Sequence, residues 1–240
     1  MAEETLKAKL DALLKKAIEE QKAFIAGLSD AQTAQVGTSE KWSAKDNLTH
    51  IVFWQGTFVQ QVQMLENGQT PPKLLDDDPQ NEINFQAHRA QSWPDVIAAA
   101  EDSYSGLFAL LESHSEAELT AEKRLPPPRS NPLWRYFLDT GFVHPLTHYA
   151  DFYMEHGDMA RATTLQQQIA TYTANLGGED TRALADYNLA CFYAKTGQKD
   201  SALALLPNAL KTLPSLVDWS KQDPDLVSLH NEPAYQALYA

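Results

Sequence analysis

"SAKDNLTHIVFWQGTFVQQVQMLE", residues 43–66, decides the fold class. Ser43 followed by Asp46 is a capping-box-like start, in which the serine oxygen accepts from the backbone three residues on and the acid lies at the positive end of the helix dipole. Leu48, Ile51, Phe58, Val62 and Leu65 then recur in steps built from threes and fours, as in a helix that lays one apolar face into a bundle. A helix running to about Glu66 is expected, with that face committed to packing.

Working outward, residues 3–28 place Leu6, Leu10, Leu13, Leu14, Ile18, Phe24, Ile25 and Leu28 near helical spacing, with Lys and Glu opposite, which reads as an earlier amphipathic helix. A polar stretch, residues 29–41, links the two. "NGQTPPKLLDDDPQ", residues 67–80, reads as a loop with a solvated acidic run. A third helix follows and breaks at Pro94, where Ser92 and Asp95 cap a segment over 93–113 bearing Val96, Ile97, Ala100, Tyr104, Leu107 and Leu111. "RLPPPRSNP", residues 124–132, is a further break, and Asn131–Pro132 reads as the N-cap and first turn of a fourth helix. Nothing alternates as a strand does. The expectation is an all-α chain, with an antiparallel four-helix bundle over residues 1–156.

The rest of the chain, residues 157–240, reads differently. In "NLACFYAKTGQKDSALALLPNALKTLP", residues 188–214, the order Leu189, Ala190, Tyr193, Gly197, Ala202, Ala209, Leu210, Pro214 resembles the small and aromatic positions of a tetratricopeptide repeat (TPR). Small residues there let two helices approach, Gly197 turns between them and Pro214 stops the second. A fainter echo precedes it in Ala150, Tyr153, Gly157 and Ala162, and the segment after Pro214 reads as capping helices. A TPR-like hairpin of this kind implies a protein partner or a homodimer surface, with Tyr187, Tyr193 and Trp219 on or near exposed faces.

Composition narrows the function classes. The 240 residues carry 19 Lys and Arg against 32 Asp and Glu, a net charge of −13, so a polyanion would be repelled and nucleic acid is not an expected partner. The single cysteine, Cys191, excludes an internal disulfide and falls where the repeat wants a small side chain. The charged amphipathic start and the lack of any long apolar run lead to the expectation of a cytoplasmic protein with no membrane span.

The chemistry-bearing residues are histidines. In "GFVHPLTHYADFYMEHGD", residues 141–158, His144 and His148 are four apart and fall on or beside a stripe with Trp134, Leu138, Gly141, Pro145 and Phe152. Pro145 removes the hydrogen bond to the Gly141 carbonyl, so a local kink or widening is expected. His50 sits next to the core position Ile51. Three imidazoles from two helices would offer neutral nitrogens to a divalent ion, yet a packed, hydrogen-bonded pair of core histidines fits the same spacing. The residues alone leave both readings open. Trp54, Trp134, Phe137, Tyr149 and Phe152 are either the wall of an apolar pocket beside these histidines or ordinary core. His156 is expected at terminal carbonyls, and His88, His114 and His230, without partners at useful spacing, at the surface or at caps.

"WSAKDNLTHIVFW", residues 42–54, followed by "HPLTHYADFY", residues 144–153, resembles the DinB-like superfamily of four-helix bundles, which includes the ClbS/DfsB colibactin-resistance relatives. The resemblance implies a divalent metal, zinc or nickel, bound by His50, His144 and His148, and a role in detoxification or stress. It implies action on a small-molecule electrophile, by hydrolysis or by transfer to a low-molecular-weight thiol, and names no general base. A proline inside the histidine pair is not a universal feature of that superfamily. Two other functions compete: a non-catalytic scaffold recruiting a partner through the TPR-like region, and metal-free sequestration of a small molecule as in ClbS-like proteins.

Overall fold

The computed structural model describes residues 4–125 and 129–239 and divides the chain into two compact units, Met1–His156 and Gly157–Ala240. The architecture is all-α, with one small hairpin of strands.

In the first unit, α1 (Leu6–Gly27) buries Leu10, Leu13, Leu14, Ala17, Gln21 and Phe24 along one face. The polar stretch after it contains a single-turn helix, α2 (Asp30–Ala34), closed by a capping box between Ser29 and Gln32. α3 (Ala44–Glu66) begins at Ser43 as its sequence indicates. The Ser43 backbone N–H donates to Asp46 Oδ2 at 2.8 Å, and the Asp46 N–H returns a bond to Ser43 Oγ at 3.3 Å. α4 (Asp77–His88) starts inside the acidic run read as loop, because carboxylates such as Asp78 favour a helix N-terminus. α5 (Trp93–Ser113) is capped by Ser92 and carries Pro94 in its first turn, where a missing N–H costs nothing.

A five-residue helix, α6 (Glu116–Thr120), leads into β1 (Glu122–Leu125), which pairs antiparallel with β2 (Arg129–Pro132). The expected break at residues 124–132 is therefore partly a hairpin, and Pro126, Pro127 and Pro128 lie outside the described residues. Asn131 is not a helix cap: it is Cα-paired with Lys123 in the ladder, and Pro132 occupies the N-cap position without a side-chain hydrogen bond. Strand pairing satisfies backbone groups that a helix start would have left open.

The last bundle stretch comprises α7 (Leu133–Leu138), a π-helical turn (Asp139–Val143) and α8 (His144–Glu155). α1 packs against α5 and α8, and α3 packs against α5 and α8, so each of the four long stretches touches two others. Phe24 anchors the centre: its ring stacks on Tyr149 at 4.5 Å and meets Phe152 edge-on at 5.1 Å.

The π-turn has a packing cause. Gly141 lets α1 come close, since a Cβ at that position would stand 2.4 Å from Leu14 Cδ2. Pro145 cannot donate to the Gly141 carbonyl, which instead accepts from the buried Tyr104 hydroxyl at 3.3 Å. We expect Gly141→Ala to lower stability in urea titrations, because overpacking costs about 1–3 kcal/mol and outweighs the helix-propensity gain of at most about 1 kcal/mol. Gly56→Ala, on α3 with nothing within 4 Å of its added Cβ, should shift the midpoint the other way.

In the second unit, α9 (Met159–Leu176), α10 (Glu179–Lys195) and α11 (Lys199–Thr212) pack in sequence order, and Gly197 turns between the last two with φ +78°. Ala190, Ala202 and Ala209 are fully buried, as close helix approach requires. Tyr187 and Tyr193 are buried, contrary to the expectation of exposed faces; the Tyr187 hydroxyl donates to Asp223 Oδ2 at 2.7 Å. Trp219 is 49% exposed. No helix among the described residues is long and apolar enough to cross a membrane.

Candidate metal centre

His50 projects from α3 and His144 and His148 from α8, two elements in contact. The structure brings all three together: His50 Nε2 lies 2.9 Å from His144 Nε2, and His148 Nε2 lies 3.0 Å from the same atom. The preceding π-turn sets this register. The His144 N–H bonds back to the Asp139 carbonyl, five residues away, so α8 starts one residue out of step with α7.

A neutral imidazole nitrogen carries either one proton or one lone pair. His144 Nε2 can therefore match one neighbour but not both, and the three nitrogens do not satisfy one another. A single cation at their convergence would satisfy all three, and a set of neutral imidazoles suits a divalent transition-metal ion.

Burial keeps the set neutral. It lowers His50 to about 2, with the neighbouring His148 and His144 adding to the effect. It lowers His144 to about 3, with His148 contributing, and His148 to about 4. Neutral imidazole is the ligating form. These folded-state values lie below the ordinary 6.5, so at acidic pH the unfolded chain binds more protons than the folded one. The metal-free protein should hold its full histidine contribution above about pH 6.5 and lose it progressively toward pH 4. Urea midpoints across that window test the sign: a midpoint that rose on acidification would contradict it.

The histidines open onto a cleft of about 360 Å³ lined also by Trp42, Trp54, Asn81, Asp139 and Thr140. Trp42 covers two of the imidazoles, 4.6 Å from His50 and 5.7 Å from His148 between ring centres. Of the residues weighed as pocket wall, Trp54 lines the cleft. Tyr149, Phe152 and Phe137 do not; they are core, the first two against Phe24 and the third against Phe58 at 5.1 Å. Tyr149 follows His148 directly, and one residue turns a helix by about 100°, which carries its ring to the α1 side. Trp134 is half-buried under the Arg135 guanidinium and is not among the residues lining the cleft.

Asn81, Asp139 and Thr140 were not singled out from sequence. For Asn81 a signal existed: with Asn84, Phe85 and His88 it falls at helical spacing on α4, whose Asn84 and Phe85 are buried. The Trp54 indole N–H donates to Asn81 Oδ1 at 3.0 Å and ties α4 to α3. Asp139 and Thr140 come into reach through the π-turn, which leaves no mark in an apolar pattern.

Among the described residues, the other histidines join no second cluster of metal-ligating groups. His156 Nδ1–H donates to the Phe152 carbonyl at 2.8 Å, as expected of a helix end. His114, expected at the surface or at a cap, is the C-cap of α5 but is buried; it bonds the Leu110 carbonyl at 2.7 Å and Glu66 at 2.6 Å. That partner lies 48 positions away, beyond any spacing rule. Cys191, Asp223 and Asp225 also cluster, but burial and then Asp223 push the thiol up to about 12. Asp223 already accepts from Tyr187 and from the Asp225 backbone N–H, so the group reads as a cap.

The family model described as the DinB superfamily matches residues 13–152, over half of the chain and both histidine-bearing helices. No curated protein and no solved structure matches it.

Proposed function

The chain belongs to the DinB superfamily, and from that premise we propose that His50, His144 and His148 hold one divalent metal ion, zinc or nickel, and that the cleft beside it acts on a small electrophile in a detoxification or stress role. The observation that carries the reading is the convergence of three neutral imidazoles, His50 buried and His144 and His148 half-buried, whose Nε2 atoms cannot all satisfy each other. An ion held there supplies Lewis acidity, lowering the pKa of a nucleophile and polarising an electrophile.

The chain's own groups support chemistry at that point. Trp42 and Trp54 add aromatic surface to the cleft wall, to which a planar ligand is complementary. Asp139 and Thr140 add polar groups to the cleft wall. Both hydrolysis and transfer to a low-molecular-weight thiol fit this arrangement.

Elemental analysis of protein purified without an affinity tag or added metal tests the proposal, followed by titration of chelator-treated protein with zinc and with nickel. Stoichiometric uptake is the expected result. No uptake under any loading condition would defeat it and favour metal-free sequestration, in which small-molecule binding would survive substitution of all three histidines.

A further inference from the structure

We infer that Asn81 is the specificity-determining residue of the cleft, donating a hydrogen bond from its side-chain amide to a carbonyl oxygen of the bound molecule, so that the ligand class is a flat, carbonyl-bearing compound. This rests on the cleft being the ligand site of the proposed function, but not on the metal being bound.

Trp54 and Asn81 both line the cleft beside the three histidines. The indole N–H can only donate, so the bond of 3.0 Å fixes the amide with Oδ1 toward Trp54. The Nδ2 group, with two N–H donors, is thereby turned away from that bond. Asn81 is half-buried, and among the described residues this group donates to no protein acceptor. A donor oriented in advance discriminates more strongly than one that must be ordered on binding. A ligand with an oxygen acceptor satisfies it, whereas an apolar molecule of the same shape leaves it unpaired. Trp42 and Trp54 add two indole surfaces, to which a flat molecule is complementary. The three requirements, flat body, oxygen acceptor and a volume within about 360 Å³, describe small aromatic or conjugated carbonyl compounds.

The test uses two neutral probes, acetophenone and toluene, which share the ring and differ in the carbonyl. Each is titrated into nitrogen-15-labelled full-length protein, as purified and zinc-loaded, following the Trp54 indole and Asn81 side-chain amide signals. Acetophenone should shift both signals and bind more tightly than toluene. Asn81→Leu should cost acetophenone about five- to tenfold in affinity, the worth of one hydrogen bond, and leave toluene unchanged. Asn81→Asp, which keeps the acceptor for Trp54 and loses the donor, should repeat the acetophenone loss and covers the case in which Asn81→Leu does not fold. The inference is overturned if either variant affects the two probes alike, or if acetophenone shifts neither signal. Metal content measured on the same samples separates the two ideas: carbonyl preference without metal refutes the metal reading alone, and metal without carbonyl preference refutes this inference alone.

Discussion

His144→Ala should abolish stoichiometric metal binding while the protein stays folded. His144 Nε2 is the atom both other imidazoles approach, at 2.9 Å from His50 and 3.0 Å from His148, so its removal leaves two donors on different helices. Loss of an outer partner of a ligand already weakens a metal site by about 10–100-fold, and loss of the central ligand should exceed the upper figure. The fold should persist, because the side chain is only half-buried and the packing around α8 rests on Leu146, Tyr149, Ala150 and Phe152. Titration with zinc, read together with far-ultraviolet circular dichroism, checks both halves. Retention of one tightly bound ion by the folded variant would place the metal elsewhere. His50→Ala, which removes the α3 member of the proposed set, should give the same result.

The largest expected loss of stability is at Phe24→Ala. The ring is 1% exposed, stacks on Tyr149, meets Phe152 edge-on and lies 5.8 Å from Tyr153. Removing a buried phenylalanine costs about 3–5 kcal/mol, a large share of the roughly 5–15 kcal/mol that holds a domain together. Trp42, Trp54, Trp93 and Trp134 lie in the first unit and Trp219 in the second. Urea unfolding followed by tryptophan fluorescence in a Trp219→Phe background therefore reports the first unit alone. A loss below about 1 kcal/mol would mean that the neighbouring rings close the space, which their close-packed contacts oppose.

Much of the helical layout was legible because its signals are local. Ser43 with Asp46 and Ser92 with Asp95 occupy the positions that start α3 and α5, and the threes-and-fours pattern marks their buried faces. The distortion expected from Gly141 and Pro145 is present as a π-turn ending one residue before His144. The hairpin at residues 122–132 was not legible, because a ladder of four pairs leaves no alternation long enough to read. Tyr149 and Phe152 are core and not pocket wall: Tyr149 follows His148 directly and is turned from it by about 100°, whereas Phe152, a turn further along α8, is taken up by packing on Phe24.

By itself the sequence determined the all-α class, the helix starts at Ser43 and Ser92, the apolar faces and the three histidines as a candidate set, since caps and periodicity act within a few residues of chain. Only the tertiary structure decided that His144 Nε2 meets both partners, that Trp54 holds Asn81 by its oxygen, that Asp139 and Thr140 reach the cleft, and that His114 pairs with Glu66. Those relations join residues on separate elements, or turn on a local change of helical register, and their distances are set by how whole helices pack.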